Sequence, residues 1–427
     1  MKKIVPNILC LLNVQQALFC LKGAYCVYIP PVNLPNSLFG LLFTEFYDRI
    51  SIGKSAFFQR LTYIEVILLH IQQLTAAFQL NGTPVSWREF GHGHINSTFK
   101  VTTDTGAEYI LQKINKYVFR NPIRLMSNVT AVTDYLRERV EDPRMAMHFI
   151  QTKKGNSYFR DTEGDFWRMY DFMKGFCLDA PESDEDFYQS GVAFGRFQEL
   201  LSDFPADTLY ETIPEFHNTI DRYRQFKASV EVDPLGRLES VRDEVNFVLD
   251  HEEIGGTLQK MRVSGELPLR VTHNDTKLNN VLLDRKTRKA LCVLDLDTVM
   301  PGLSAHDFGD SIRFGAATAA EDEQDLSKMH LDLHMFEVYT RGFLEAATKL
   351  TDKEVEMLPM GALIMTLEVG LRFLKDYIDG DLYFKTAYPE HNLVRARTQL
   401  KLVADMEAKM DDMNRIVAKV KEAVRNK

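Results

Sequence analysis

The chain has 427 residues, of which 45% are apolar and 26% charged, as in ordinary soluble proteins with two or three domains or two lobes around a cleft. A net charge of −9 argues against a general binder of nucleic acid or anionic membrane, so any phosphate handled here is held by a few placed groups and a metal. Five Cys without a C-x-x-C spacing suggest neither a zinc ribbon nor a redox dithiol, and a reducing compartment fits best.

The first 60 residues are unlike the rest. "MKKIVPNILCLLNVQQALFCLKGAYC" has the basic start and apolar run of a signal peptide, but Asn13, Gln15, Gln16 and Lys22 break it, and the run is too short to span a bilayer. We read the segment as lying outside the working protein, such as a mis-assigned start; an accessory extension and export are the alternatives. No Met occurs between Met1 and Met126, so a start near residues 55–75 would need a non-AUG codon.

Order begins near residue 66. "VILLHIQQLTAAFQL" has helical spacing and ends at Asn81-Gly82, a C-cap pair. Strands are expected at "PVSWREF", "INSTFKVTT" and "EYILQKIN", the last two joined by an Asp104-Thr105-Gly106 turn. Asn121-Pro122 opens a helix through "IRLMSNVTAVTDYLRERV", and two further strands are expected at "MHFIQT" and "DFWRMYDFM". Residues 61–175 thus read as a small lobe with a five-stranded sheet and one helix. Residues 176–427 read as a mainly helical lobe, with capping patterns at Ser183-x-x-Asp186 and Thr351-x-x-Glu354. "AAEDEQDLS" at 319–327 is most simply a solvated acidic loop.

The helical lobe has only two short strand candidates, near 280–284 and 291–295. They bracket "VTHNDTKLNNVLLD" and "ALCVLDLDTVMPG". His273-x-Asp275-x₄-Asn280 is the spacing of a kinase catalytic loop, where the Asp accepts a hydroxyl proton and the Asn holds Mg²⁺. Buried carboxylates are costly unless something positive sits with them, and a metal–nucleotide pair makes them sensible. Lys277 could reach the transferring phosphoryl group, and Asp295 ends an apolar strand where a kinase places its metal-binding Asp. An Asp-x₄-Asn pair alone is commonplace; the flanking strands and the strand-rich lobe before it give it weight. Gly91 and Gly93, between two strands, permit close backbone approach to phosphate, although a plain hairpin turn reads the same way.

With those residues in place, the chain resembles the aminoglycoside phosphotransferase and choline kinase superfamily. Within it the likeness is to bacterial N-acetylhexosamine 1-kinases, in "GHGHINSTF", "YILQKIN", "HNDTKLNNVLLD", "VLDLDTVMPG", "DFGDSIRFG" and "GLRFLKDYIDGDLYF". The resemblance implies a bilobal protein-kinase-like α+β fold, with a small antiparallel-sheet N-lobe and a large helical C-lobe. It implies ATP as co-substrate, Mg²⁺ as cofactor, a free amino sugar as acceptor and a cytoplasmic enzyme, without nucleic-acid or membrane partners. It implies Asp275 as base, with Asn280 and Asp295 as metal ligands; Asp297 is either a second ligand or orients the loop. Asp310 would brace the catalytic loop, or cap the helix that follows it. His94 and Asn96 would face the sugar or phosphate. Lys113 is the expected phosphate-reaching cation, although alternation puts Gln112 on the opposite face. Its acidic partner would be Asp134 or Glu138. Met169, Tyr170 and Phe172 would wall the adenine in the lobe-connecting segment, or form a strand core. Phe314 could stack on a pyranose, and Arg372 and Tyr383 match the family's substrate region; read alone, they are a surface ion-pair partner and a core aromatic.

Overall fold

The sheet grows around the turn at Asp104-Thr105-Gly106, where Gly106 has φ 80° and donates to Thr103 O at 3.0 Å. The computed structural model describes residues 11–13, 16–21, 25–29, 71–91 and 96–426. Strands β1 (Leu11–Asn13), β2 (Gln16–Leu21) and β3 (Tyr25–Ile29) pair antiparallel within the signal-like run. The chain then forms two compact units, residues 1–113 with 150–169 and residues 114–149 with 170–427. The segment 114–149, grouped with the sheet in the sequence reading, packs within the second unit.

In the first unit, β4 (Pro84–Glu89), β5 (Ser97–Thr103), β6 (Glu108–Ile114), β7 (Phe159–Arg160) and β8 (Phe166–Asp171) form an antiparallel sheet in the order β4-β5-β6-β8-β7. The count of five agrees with expectation, but the membership differs. Residues 147–152 make only bridges, Phe149 to Tyr170 and Thr152 to Phe78, and the short β7 takes the edge instead. One sheet face buries Val101, Tyr109, Leu111, Trp167 and Met169 against Ile71, Leu74 and Phe78, the described end of the expected first helix.

In the second unit we number the helices of twelve residues or more. They are α1 (Pro122–Arg137), α2 (Asp184–Leu200), α3 (Thr219–Val232), α4 (Ser304–Gly315), α5 (Leu333–Ala346), α6 (Leu358–Asp379), α7 (His391–Ala408) and α8 (Met410–Arg425). The expected caps form: Asn121 accepts from Arg124 N–H, Ser183 from Asp186 N–H, and Thr351 with Glu354 makes a full capping box. α6 has 18 of its 22 residues buried, so Glu368 and Asp376 on it must find partners inside. It runs close against α4: a Cβ at Gly309 would lie 2.3 Å from Gly361 O, and one at Gly361 would lie 2.3 Å from Ala305 O. Two short antiparallel ribbons complete the unit, β9 (Arg270–Thr272) with β12 (Met300–Gly302) and β10 (Val281–Leu283) with β11 (Ala290–Val293).

Candidate active site

The loop between β9 and β10 carries His273, Asp275, Lys277 and Asn280, and α4 holds it from behind. Asp307 Oδ2 accepts the His273 N–H at 2.9 Å and its Oδ1 accepts the Asn274 N–H at 2.8 Å, while Gln198 Nε2 donates to Oδ2 at 2.8 Å. Burial pushes the Asp307 carboxyl above the ordinary carboxylate range, against the pull of His273 and these three donors. Asp310 Oδ2 accepts the Thr276 N–H at 3.0 Å, the bracing role expected of it, and Ser311 Oγ donates to Thr276 O at 2.9 Å. His273 Nε2 donates to Leu294 O at 2.8 Å, leaving Nδ1 to accept the Asp275 N–H at 3.3 Å. Its imidazole is therefore a loop strut. Asn274 sits at φ 63°, a left-handed position that a non-glycine residue keeps only when held there.

So braced, the loop presents its charged groups. Asp275 is part-exposed, and Lys277 Nζ lies 3.0 Å from its Oδ1. Burial works against the Lys277 charge, but Asp275 and Asp310 outweigh it and raise its pKa. Asn280 Nδ2 donates to Asp275 O at 2.8 Å, which turns its Oδ1 away from that carbonyl. The Leu294 N–H donates to Asn280 O at 2.8 Å and Val281 pairs with Val293, so Leu294 lies opposite Asn280 and Asp295 is the next residue along that strand end. Asp295 is exposed with φ 55°, whereas Asp297, on the next turn, is 3% exposed. Among the described residues no three His, Cys, Asp or Glu side chains converge to enclose a metal ion. The donors on offer, an amide and a carboxylate oxygen, fit a hard cation such as Mg²⁺ that keeps water and substrate oxygens in its shell.

A continuous run of contacts leads from this loop to the expected acceptor residues. Lys277 Nζ lies 5.4 Å from the Phe314 ring centre and the Arg313 guanidinium 3.7 Å from it. Arg313 pairs with Glu321 at 2.7 Å and Glu321 reaches Arg395 at 3.7 Å, so the acidic loop at 319–327 is partly structural and not merely solvated. Arg395 lies over Phe373 (5.3 Å), which packs on Phe384 (4.6 Å). Arg372 then sits among Phe216, Tyr383 and Phe384, 5.5–5.8 Å from each ring centre.

Two carboxylates on α6 organise this wall, and sequence reasoning missed both. Asp376 accepts the backbone N–H groups of Leu382, Tyr383 and Phe384 at 3.0, 2.8 and 2.9 Å, and Asn392 Nδ2 at 2.9 Å. Tyr383, expected on its residues alone to be a core aromatic, is 68% exposed because the chain turns outward at Gly380 (φ 104°). Glu368, one turn before Arg372, takes His217 Nδ1 at 2.8 Å and Thr219 Oγ1 at 2.6 Å. Burial would raise its carboxyl, but His217, Arg372 and Thr219 hold it down to about 2. His306 lies with its ring 5.4 Å from His217, and burial, His217 and Arg262 drive its imidazole down to about 3.

In the sheet unit, Gly91 has φ 79°, while Gly93 and His94 lie outside the described residues. Within its own unit Lys113 pairs with Asp165 and lies 5.8 Å over Trp167. Met169 is fully buried in the hydrophobic cluster, which is the strand-core alternative. Tyr170 is half-buried, with its ring 5.3 Å from Phe149. The charge that the expectation overlooked is Arg168, 3% exposed, whose Nε and Nη2 donate to Gln112 Oε1 at 2.9 and 2.6 Å. An arginine inside "FWRMYD" was the signal available. For Asp307 it was the second carboxylate of "HDFGD", three residues before Asp310.

The family described as phosphotransferase enzyme family matches residues 86–341. Among solved structures, a microcompartment-associated aminopropanol kinase aligns at 16% identity, covering 81% of this chain and 98% of its own, with TM-score 0.57. An amicoumacin kinase solved with AMP-PNP and Ca²⁺ aligns at 13% identity, covering 80% and 93%, with TM-score 0.54. An aminoglycoside phosphotransferase from Alicyclobacillus acidocaldarius aligns at 14% identity, covering 83% and 96%, with TM-score 0.53. These likenesses establish the fold, α+β and kinase-like, with an antiparallel sheet followed by a helical region. No described helix is long and apolar enough to cross a membrane.

Proposed function

Because the chain belongs to the phosphotransferase enzyme family, and is thereby a small-molecule kinase, we propose that it transfers the γ-phosphoryl of ATP to the anomeric hydroxyl of an N-acetylhexosamine, GlcNAc or GalNAc. Asp275 takes the proton of that hydroxyl, the oxygen bonds to the γ-phosphorus, the bond to the β-phosphate oxygen breaks, and ADP leaves with a sugar 1-phosphate. The anomeric hydroxyl is the most acidic of a sugar's hydroxyls, so a carboxylate base suffices. Lys277, kept charged beside Asp275, meets the phosphoryl group. Asn280 and Asp295 are the residues that would hold Mg²⁺, which when bound neutralises charge on the triphosphate. Asp295 is exposed, whereas Asp297 is buried with its Oδ1 lacking a hydrogen-bond partner among the described residues, so Asp297 is the second carboxylate at this turn.

The observation that carries the sugar reading is Arg372 set among Phe216, Tyr383 and Phe384. Aromatic faces suit the C–H face of a pyranose, and a guanidinium fork suits hydroxyl and amide oxygens. The rival acceptors are amino alcohols and antibiotics, the substrates named for two of the solved relatives. A protonated amine calls for an uncommitted carboxylate, whereas the wall's Glu368 is taken up by His217 and Thr219 and its Asp376 by the 382–384 N–H groups and Asn392, with Arg372 beside them. A screen of free sugars, amino alcohols and aminoglycosides with ATP, followed by phosphorus NMR of the product, tests the reading. Phosphorus coupled to the C1 proton is the expected result. Phosphate on C6, or an amino alcohol turned over faster than every N-acetylhexosamine, refutes the sugar assignment.

A further inference from the structure

Near the end of α4 two neighbouring side chains lean on each other. The Arg313 guanidinium lies 3.7 Å from the centre of the Phe314 ring; Arg313 is 5% exposed, whereas Phe314 is part-exposed. Lys277 Nζ lies 5.4 Å from the same ring, so the ring stands beside the group proposed to meet the phosphoryl. A guanidinium is planar, and its plane is fixed when separate edges are held. Asp310 Oδ1 takes one edge, accepting Nε at 3.3 Å and Nη2 at 3.1 Å, and Glu321 Oε1 accepts Nη1 at 2.7 Å. Burial works against the Arg313 charge, and these two carboxylates outweigh it. Asp310 has a second task, since its Oδ2 accepts the Thr276 N–H of the catalytic loop at 3.0 Å.

Glu321 belongs to the acidic loop at 319–327, and that part of the loop is anchored. Thr398 Oγ1 donates to Glu321 O, His391 Nε2 lies 3.3 Å from Asp322 Oδ2, and Ala317 bridges to Leu331 across the base of the loop. Glu323 and Asp325 turn instead to Lys328, within the loop. The acidic run therefore does two jobs, and only its first part faces α4. We infer that Glu321 is a positioning residue: by fixing the plane of Arg313 it fixes the Phe314 ring that the acceptor meets. The inference rests on the kinase reading above, in which Phe314 lies on the acceptor side of the catalytic loop.

The experiment measures KM for GlcNAc, KM for ATP and melting temperature in the full chain. Glu321→Ala is expected to raise KM for GlcNAc about tenfold while KM for ATP stays within about twofold. Glu321→Gln keeps an oxygen for Nη1 and is expected to bring KM for GlcNAc back to within about threefold of wild type. Thr398→Val releases the Glu321 carbonyl without altering the carboxylate, and about a threefold rise is expected. Glu323→Gln, on the same loop, is the control and should stay within about twofold. A lower melting temperature in Glu321→Ala with an unchanged KM for GlcNAc makes Glu321 structural only and overturns the inference. An equal rise in KM for ATP does the same. If Glu321→Ala fails to fold, an unchanged KM for GlcNAc in Thr398→Val overturns it. A wild type that phosphorylates aminopropanol and not GlcNAc overturns the sugar reading alone, because the same split between acceptor KM and ATP KM then tests Glu321 on that alcohol. A wild type that phosphorylates neither overturns both.

Discussion

Replacing Asp307 by Asn tests whether the catalytic loop is held as the geometry says. The carboxylate takes three N–H donors on two oxygens, at 2.8–2.9 Å and with no solvent exposure. An amide of the same shape has one acceptor oxygen. In its better orientation it keeps His273 N–H and Gln198, and sets its own NH₂ against the Asn274 N–H. One charge-assisted bond is lost, about 2 kcal/mol, and two become neutral, about 1 kcal/mol each. Relief of a buried charge offsets part of this, so about 2–3 kcal/mol of net destabilisation is expected. The released segment contains Asn274 at φ 63°, next to the base. Its relaxation shifts Asp275, and a shift of about 1 Å costs about a hundredfold in turnover. Urea unfolding gives the first quantity and steady-state kinetics the second. A stability change under about 0.5 kcal/mol together with turnover within about threefold of wild type would refute the bracing argument.

Asp275→Asn should leave the fold and AMP-PNP binding intact and cost about 10²–10⁴ in kcat, or roughly 3–5 kcal/mol of barrier. Turnover within about threefold of wild type removes it from the role of base. Asp295→Ala should abolish Mg²⁺-dependent turnover, with Asp297→Ala the milder loss; the reverse order in a Mg²⁺ titration would show the two carboxylates exchanged. His306 stays neutral in the folded chain down to about pH 3, while the unfolded chain takes up that proton near 6.5. Its contribution to stability therefore falls as pH drops below 6.5, by about 2 kcal/mol at pH 5. Glu368, held down to about 2, adds acid loss in the same direction but only below about pH 4.5. Unfolding free energies at pH 7 and pH 5 should show a shallower pH dependence in His306→Leu; equal slopes in wild type and variant would count against the buried neutral imidazole.

What was legible in the sequence was local. The hairpin at Asp104-Thr105-Gly106 and the caps at Asn121, Ser183 and Thr351 form where expected, because each needs only residues within four positions. The His273-x-Asp275-x₄-Asn280 spacing likewise lands on one loop, and the strand-then-helix order gives the fold. The parts that were not legible join residues far apart in the chain. Asp307 reaches back thirty-four positions to His273, and Arg168 meets Gln112 across fifty-six. Strand alternation did separate Gln112 from Lys113, but which face was already occupied depended on the helix at 71–75 packing there. Tyr383 read as a core aromatic because nothing in "DGDLYF" announces that a carboxylate seven residues earlier will gather its backbone.

Asp376 gathers the 382–384 segment from α6, while Asp307 and Asp310 hold the catalytic loop from α4, and the two helices meet where Gly309 and Gly361 let their backbones touch. The groups proposed for chemistry and those proposed for acceptor choice are thus hung on separate pegs of one rigid frame. Replacing residues 382–388 with another sequence, while keeping Asp376 and Gly380, would leave every hydrogen bond of the catalytic loop untouched. An architecture of this kind can drift in substrate range one short segment at a time without passing through an inactive ancestor.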